Sequence, residues 1–352
     1  EGADHIIEIG TEFFAYVDFL RANDVSAARF GEHRHMARLS FDYDARPNAL
    51  AYARRLSAHL LTYPVRDAVR APYAWDQFDP RAIDAVFSSM RPDNAWVAFS
   101  DPAFTGNSCG FWITFECRQA ELPSDWVDAW SMVEPREFAL AAPNPYLPGD
   151  FSLVEYASDG VVDLFNGEVR VRRLNDASSG DPRASAFVRI TGDFCLAPQS
   201  AAAAGVLREL ILEAAYRNRK IAQGAGFETS IVVDSQGVVV TVDGFRDKLT
   251  DVVWALAAPI FDLRPGLVAF EAHRRFLIKE AEDLVAGSSK AYRELQQESL
   301  RLMQGANCAT ANHGHAFAKL SLEAFSAWLA QFRENAVADA FLYGNVSEDD
   351  AM

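Results

Sequence analysis

Apolar residues recur at helical spacing through most of the first ninety positions. Ile6, Ile9, Phe13, Tyr16, Val17 and Leu20 share one face of a 3.6-residue period, which predicts a helix over 5–23. A second helix is predicted over 26–39, with Ser26 as its N-cap. After a polar break at 41–46, Pro47 suits the first turn of a third helix running to 61, which Tyr63-Pro64 stops. Asp79-Pro80 joins an N-cap to a first-turn proline and predicts a helix ending near Met90. The period then shortens. AWVAFS at 95–100 and FWITFEC at 111–117 are aromatic and β-branched runs of strand length. A short helix over 123–133 follows. The stretch AAPNPYLPGD at 141–150 can neither continue a helix nor sit in a central strand, because proline lacks an N–H. Residues 151–156 read as one more extended run.

The pattern restarts after 157–167, whose glycine and polar ends make it the best candidate linker. EVRVRRL at 168–174 and ASAFVRIT at 184–191 alternate as strands. The longest periodic stretch is 201–227. Leu207, Leu210, Ile211, Ala214, Ala215 and Ile221 form its apolar face, Arg208, Glu209, Arg217 and Arg219 its polar one, and Gly224 and Gly226 its stop. Two β-branched runs over 230–242, folded about 234–237, predict a hairpin. Helices follow over 248–263, 266–286, 289–305 and 321–334, then a strand over 336–343. Strands and helices that mix without strict alternation predict an α+β fold, with mainly antiparallel sheets packed against helices. The length of 352 residues fits two domains, placed at 1–156 and 168–352.

Composition narrows the function. A net charge of −16 repels phosphate backbones and argues against a nucleic-acid partner. No apolar run approaches the roughly 20 residues of a membrane span. Cys109, Cys117, Cys195 and Cys308 form neither a C-x-x-C pair nor a disulfide framework. Free thiols in a reducing compartment, cytoplasmic or mitochondrial, are the expectation.

Candidate chemistry is thin. His5-Ile6-Ile7-Glu8 begins an H-x-x-E-H zinc motif, but Ile9 stands where the second histidine would be, and isoleucine cannot bind zinc. His33 and His35 are two apart and point away from each other on a helix, so they read as solvated residues. His59 and His273 are helical histidines with no evident partner. Cys308, His313 and His315 form a C-x4-H-x-H cluster in an expected loop, with no fourth ligand nearby. Gly224-Ala225-Gly226 ends a helix rather than opening one, so its amides point the wrong way for phosphate. Gly287-Ser288-Ser289 lacks the second glycine of a nucleophile elbow. No residue emerges as catalytic or metal-binding, and no substrate-binding residue can be singled out.

Several phrases nevertheless occur in a telling order: FFAYVDFLR at 13–21, LLTYP at 60–64, MRPDNAWV at 90–97, PNPYLPGDF at 143–151, VDGFRDKL at 242–249 and YGNV at 343–346. Together they resemble the insulin-degrading-enzyme branch of the insulinase/pitrilysin zinc metallopeptidases. The resemblance implies a fold of four related α+β domains, arranged as two halves that enclose a peptide chamber. It implies zinc on an H-x-x-E-H helix in a first domain not contained here. Residues 1–156 would be the latter part of the second domain and 168–352 most of the third, cut before its end. The segment would then supply chamber wall and the connection between halves, with the remaining domains of its own chain and peptide substrates as partners. An inactive scaffold or peptide-binding member of the same family is the alternative. A stand-alone metal-binding protein using Cys308, His313 and His315 is a third reading. Tyr343 replaces the family's usual histidine, which is not a metal ligand.

Overall fold

In the computed structural model, the structure describes residues 3–23, 26–43, 48–98, 107–109, 115–117, 120–132, 136–155, 160–166, 169–176, 178, 180–192, 198–234, 236–286, 295, 299 and 313–351. The fold is α+β, as the pattern predicts. The chain packs into two compact units, 1–143 and 144–352.

The first unit is mainly helical. It contains α1 (Ile6–Asn23), α2 (Ala27–Asp42), α3 (Ala49–Leu60), α4 (Pro80–Ser89), a small hairpin of β1 (Asn107–Cys109) and β2 (Phe115–Cys117), and α5 (Ser124–Ser131). Capping sets the helix starts. Ser26 accepts from the Arg29 amide, and Asp79 accepts from the amides of Arg81 and Ala82 at 3.0 and 3.2 Å. The helix α3 starts at Ala49, two residues after Pro47, because the side chain of Asn48 caps it by accepting from Ala51. Pro47 lies outside the described residues. The helix α2 runs on to Asp42, so Phe41 is helical rather than part of a break. The core of this unit is where α1 meets α5. Trp130 stacks on Phe14 with centroids 5.7 Å apart and donates its indole N–H to the Ile7 carbonyl at 3.0 Å. Gly10 permits this approach, since a Cβ there would lie 2.2 Å from the indole.

Residues 95–98 do not form the predicted strand. They have no pairing partner among the described residues, and Trp96 is 89% exposed. Of the run 111–117, only Phe115–Cys117 lies within the described residues, and it is paired in β2.

The second unit is built on a six-stranded sheet of β3 (Val162–Asn166), β4 (Val169–Asn175), β5 (Arg183–Thr191), β6 (Glu228–Asp234), β7 (Gly237–Phe245) and β8 (Val337–Gly344), in the order β3-β4-β8-β5-β7-β6. All neighbours are antiparallel except β4 and β8. The strand β8, late in sequence, is inserted in the middle of the sheet. Part of the segment 157–167, expected as a linker, is the strand β3, hydrogen-bonded to β4 from Val162↔Arg173 to Asn166↔Val169.

The helix α6 (Pro198–Gly224) carries the apolar face read from the sequence, except that Ala214 is exposed and Ile221 half-buried. Its Val206, Leu207, Ile211, Ala215 and Ala222 are buried, as are Ala186, Ile190, Val238, Val240 and Val242 on one face of the sheet. The helix α7 (Arg246–Asp262) packs on β7, β5 and α6. The remaining helices are α8 (Leu267–Ala286), α9 (His313–Lys319), α10 (Leu322–Asn335) and α11 (Glu348–Ala351). Of the helix predicted over 289–305, only Leu295 and Ser299 lie within the described residues, and both are helical.

The stop of α6 is a Schellman turn. Phe227 donates to the Ala222 carbonyl and Gly226 to that of Gln223, with Gly226 at φ 81°. Pro259, inside α7, has no N–H to give the carbonyl of Ala255. Asn218 of α6 donates to that carbonyl instead, at 3.1 Å.

Candidate functional site

Two places gather polar side chains. One is the junction formed by the proline-rich segment, the start of α7 and the chain after β8. Residues 144–155 have no ladder partner among the described residues, and their backbone groups turn to side chains. Asn144 donates to the Ile221 carbonyl and accepts from the Tyr146 amide, at 2.8 and 2.9 Å. Asp247, in the first turn of α7, accepts from the amides of Gly149 and Asp150 through one oxygen, at 2.8 and 3.1 Å. Arg246 reaches Asp150 at 3.1 Å and Asp350 at 3.6 Å. Hydrogen bonds from the Ser152 amide and hydroxyl, with the Arg246 charge, hold the Asp150 carboxyl below its ordinary pKa.

Asn345 closes the junction. Fully buried, it accepts from the Val154 amide at 2.7 Å and donates to the carbonyls of Ser152 and Pro182 at 2.9 and 3.3 Å. The buried Arg173 of β4 donates to the Val346 carbonyl at 3.2 Å, and Asn175 donates to that of Glu155 at 2.9 Å. The run 151–155 is therefore not a strand, and side chains take the place of a neighbouring strand. Tyr343 donates to Asp176 at 2.9 Å, an interaction that raises the phenol pKa. It is thus a neutral donor where a histidine would titrate.

The second place is in the first unit, where α2 and residues 70–76 line a cavity of about 570 Å³. One helical face supplies Gly31, Arg34, His35, Arg38 and Phe41, and Arg70, Tyr73 and Trp75 line it from the other segment. Arg38 pairs with Asp42 at 3.5 Å, and Arg70 with Asp76 at 3.3 Å.

The histidines fall as follows. His33 stacks on Trp75 with centroids 5.7 Å apart, and His35 lines the cavity. His59 and His273 do have partners. His59 contacts the Ala68 carbonyl at 2.8 Å, and His273 contacts Glu213 at 2.7 Å, from 60 residues away in sequence. His313 and His315 sit on α9 rather than in a loop, and Cys308 lies outside the described residues. His5 hydrogen-bonds Glu8 at 2.9 Å, with the exposed apolar side chain of Ile9 one residue beyond. His5 and Glu8 supply at most two of the three or four protein ligands that a zinc site uses, and Ile9 adds none. Among the described residues, no three His, Cys, Asp or Glu side chains gather as metal ligands, and no single helix is long and apolar enough to cross a membrane. The Ser152 hydroxyl donates to Asp150 at 3.0 Å, a bond within the turn at the junction. The junction bonds are positional, and reasoning from sequence missed them because their partners are remote along the chain.

Comparison with known proteins identifies the fold and the family. The family model described as the middle or third domain of peptidase M16 matches residues 41–312. Insulin-degrading enzyme-like 2 of Arabidopsis thaliana is 21% identical over 364 residues, covering 99% of this chain and 37% of that protein. Protease 3 of Salmonella typhimurium is 23% identical over 263 residues, covering 72% of this chain and 27% of its own length. The crystal structure of pitrilysin superposes with a TM-score of 0.75 at 18% identity, over 99% of this chain and 38% of that one. The chain therefore spans little more than a third of the length of such relatives. The family match covers most of the chain, and the pitrilysin fold extends over nearly all of it. This chain belongs to the peptidase M16 family of metallopeptidases and carries the family's middle, or third, domain.

Proposed function

We propose that this chain is the non-catalytic middle segment of an insulin-degrading-enzyme-like zinc metalloendopeptidase. The observation that carries this reading is the match of residues 41–312 to the middle or third domain of peptidase M16. In the parent protein, zinc bound by another domain would supply the activated water for peptide hydrolysis. This segment would contribute chamber wall and the connection between halves, with residues 1–156 assigned to the second domain and 168–352 to the third. The junction bonds support a connecting role. They hold the proline-rich segment to α6, α7 and the chain after β8 with directional contacts to buried groups, so the segment is anchored rather than free. The other domains of the same polypeptide and peptide substrates are its partners, in a reducing compartment such as the cytoplasm.

The test is a hydrolysis assay of the purified chain on a quenched fluorescent peptide, with and without added zinc. No zinc-dependent cleavage is expected. Turnover that zinc restores after chelation would contradict the proposal.

A further inference from the structure

The cavity of the first unit is separate from the junction motifs, and most of its α2 wall precedes the residues matched by the family model. Its charge is unusual for this molecule. The protein as a whole carries −16, yet Arg34, Arg38 and Arg70 converge on one concavity. Asp42 and Asp76 balance two of the three arginines. Arg34 has no hydrogen bond or ion pair among the described residues, so its planar fork of donors remains available to an anion. Tyr73 and Trp75 supply aromatic wall. Gly31 lines it beside open space, where a Cβ would meet nothing within 4 Å. A volume of about 570 Å³ suits a small molecule.

We propose that this cavity binds a small anion bearing one aromatic ring, with the anionic group on Arg34 and the ring against Trp75 and Tyr73. A carboxylate and a phosphate share the chemistry Arg34 would recognise, and the two are separated by the choice of probe. The inference stands on the first unit alone and does not depend on the proposed peptidase role.

The experiment is titration calorimetry of the whole chain. Phenylacetate and phenyl phosphate carry ring and anion; acetate and inorganic phosphate carry the anion alone; benzyl alcohol carries the ring alone. At least one of the first two should bind about tenfold or more tighter than its ring-free and charge-free counterparts, the value expected for one charge-assisted contact. The tighter of the two identifies the anionic group. Arg34→Gln, at an exposed helical position that keeps its fold, should weaken that binding about tenfold. Gly31→Leu, which places a side chain in the open space beside the lining, should weaken it as well. The proposal is overturned if neither aromatic anion gives binding heat at millimolar concentration. It is equally overturned if the ring-free anions bind as tightly, or if Arg34→Gln, with an unchanged melting curve, keeps full affinity.

Discussion

Asn345 stands where the sheet ends and an irregular segment must be held without a strand beside it. Its side chain satisfies one amide and two carbonyls of segments up to 193 residues away in sequence. Asn345→Ala would leave those three groups without this partner in a buried place, where an unmade hydrogen bond costs about 1–3 kcal/mol. The expected loss is about 3 kcal/mol of the stability of residues 144–352, read from denaturant unfolding. A loss below about 1 kcal/mol would show that the junction does not depend on this amide. A second residue gives the pH dependence. Partial burial pushes the Asp234 carboxyl up, but hydrogen bonds from Arg189, Gln236 and Gly237 and the Arg189 charge outweigh burial and hold its pKa below the ordinary value. A folded pKa below the unfolded one means the Arg189–Asp234 pair contributes stability above the ordinary carboxylate range. That contribution is lost as pH falls through the folded pKa. Urea midpoints for the wild type should therefore fall more between pH 7 and pH 3 than those of Asp234→Asn; equal falls would count against the pair. The YGNV phrase contains Asn345, but nothing local to it reveals partners so distant.

Helix ends were the most legible elements, because their chemistry is local. Asp79-Pro80 and Gly224-Ala225-Gly226 each carry their own start or stop, and the structure uses them as such. The hairpin of β6 and β7 was legible for the same reason. The central place of β8 was not, since its partners β4 and β5 lie far earlier in the chain, Arg170 pairing with Asp339 and Ala184 with Gly344, and no period along the chain encodes such pairing. The strand pattern at 95–98 misled because aromatic and β-branched content predicts a surface fit for pairing, not the presence of a partner. The contact between α6 and α7 also escaped the sequence. Pro259 announces a free carbonyl at Ala255, but not that Asn218 supplies its donor. Asn218→Leu should cost about 1–3 kcal/mol by leaving that carbonyl unpaired. Leu207→Ala, at a fully buried position on α6, should cost about 2–5 kcal/mol by opening a cavity. Thermal unfolding of both variants would test whether α6 is the core helix of its unit; near-wild-type melting for Leu207→Ala would refute it.

For the whole chain, the family was readable from ordered phrases, and the match over 41–312 bears it out. The candidate cavity was not readable, because Arg34 and Arg38 on α2 reveal a concavity only when residues 70–76 fold against them. The one near-match to a zinc motif, at His5–Ile9, fails on the chemistry of Ile9, which stands where the second histidine would be. A middle-segment role makes a further demand: the segment should matter to a catalytic domain that it does not contain. The direct measurement is zinc-dependent cleavage of a fluorescent peptide by a separately produced H-x-x-E-H domain from the same parent protein, with and without this chain added. The middle-segment reading predicts no turnover by the chain alone and a rise in turnover by the catalytic domain when the chain is present. Zinc-dependent turnover by the chain alone, or a catalytic domain indifferent to its presence, would contradict it.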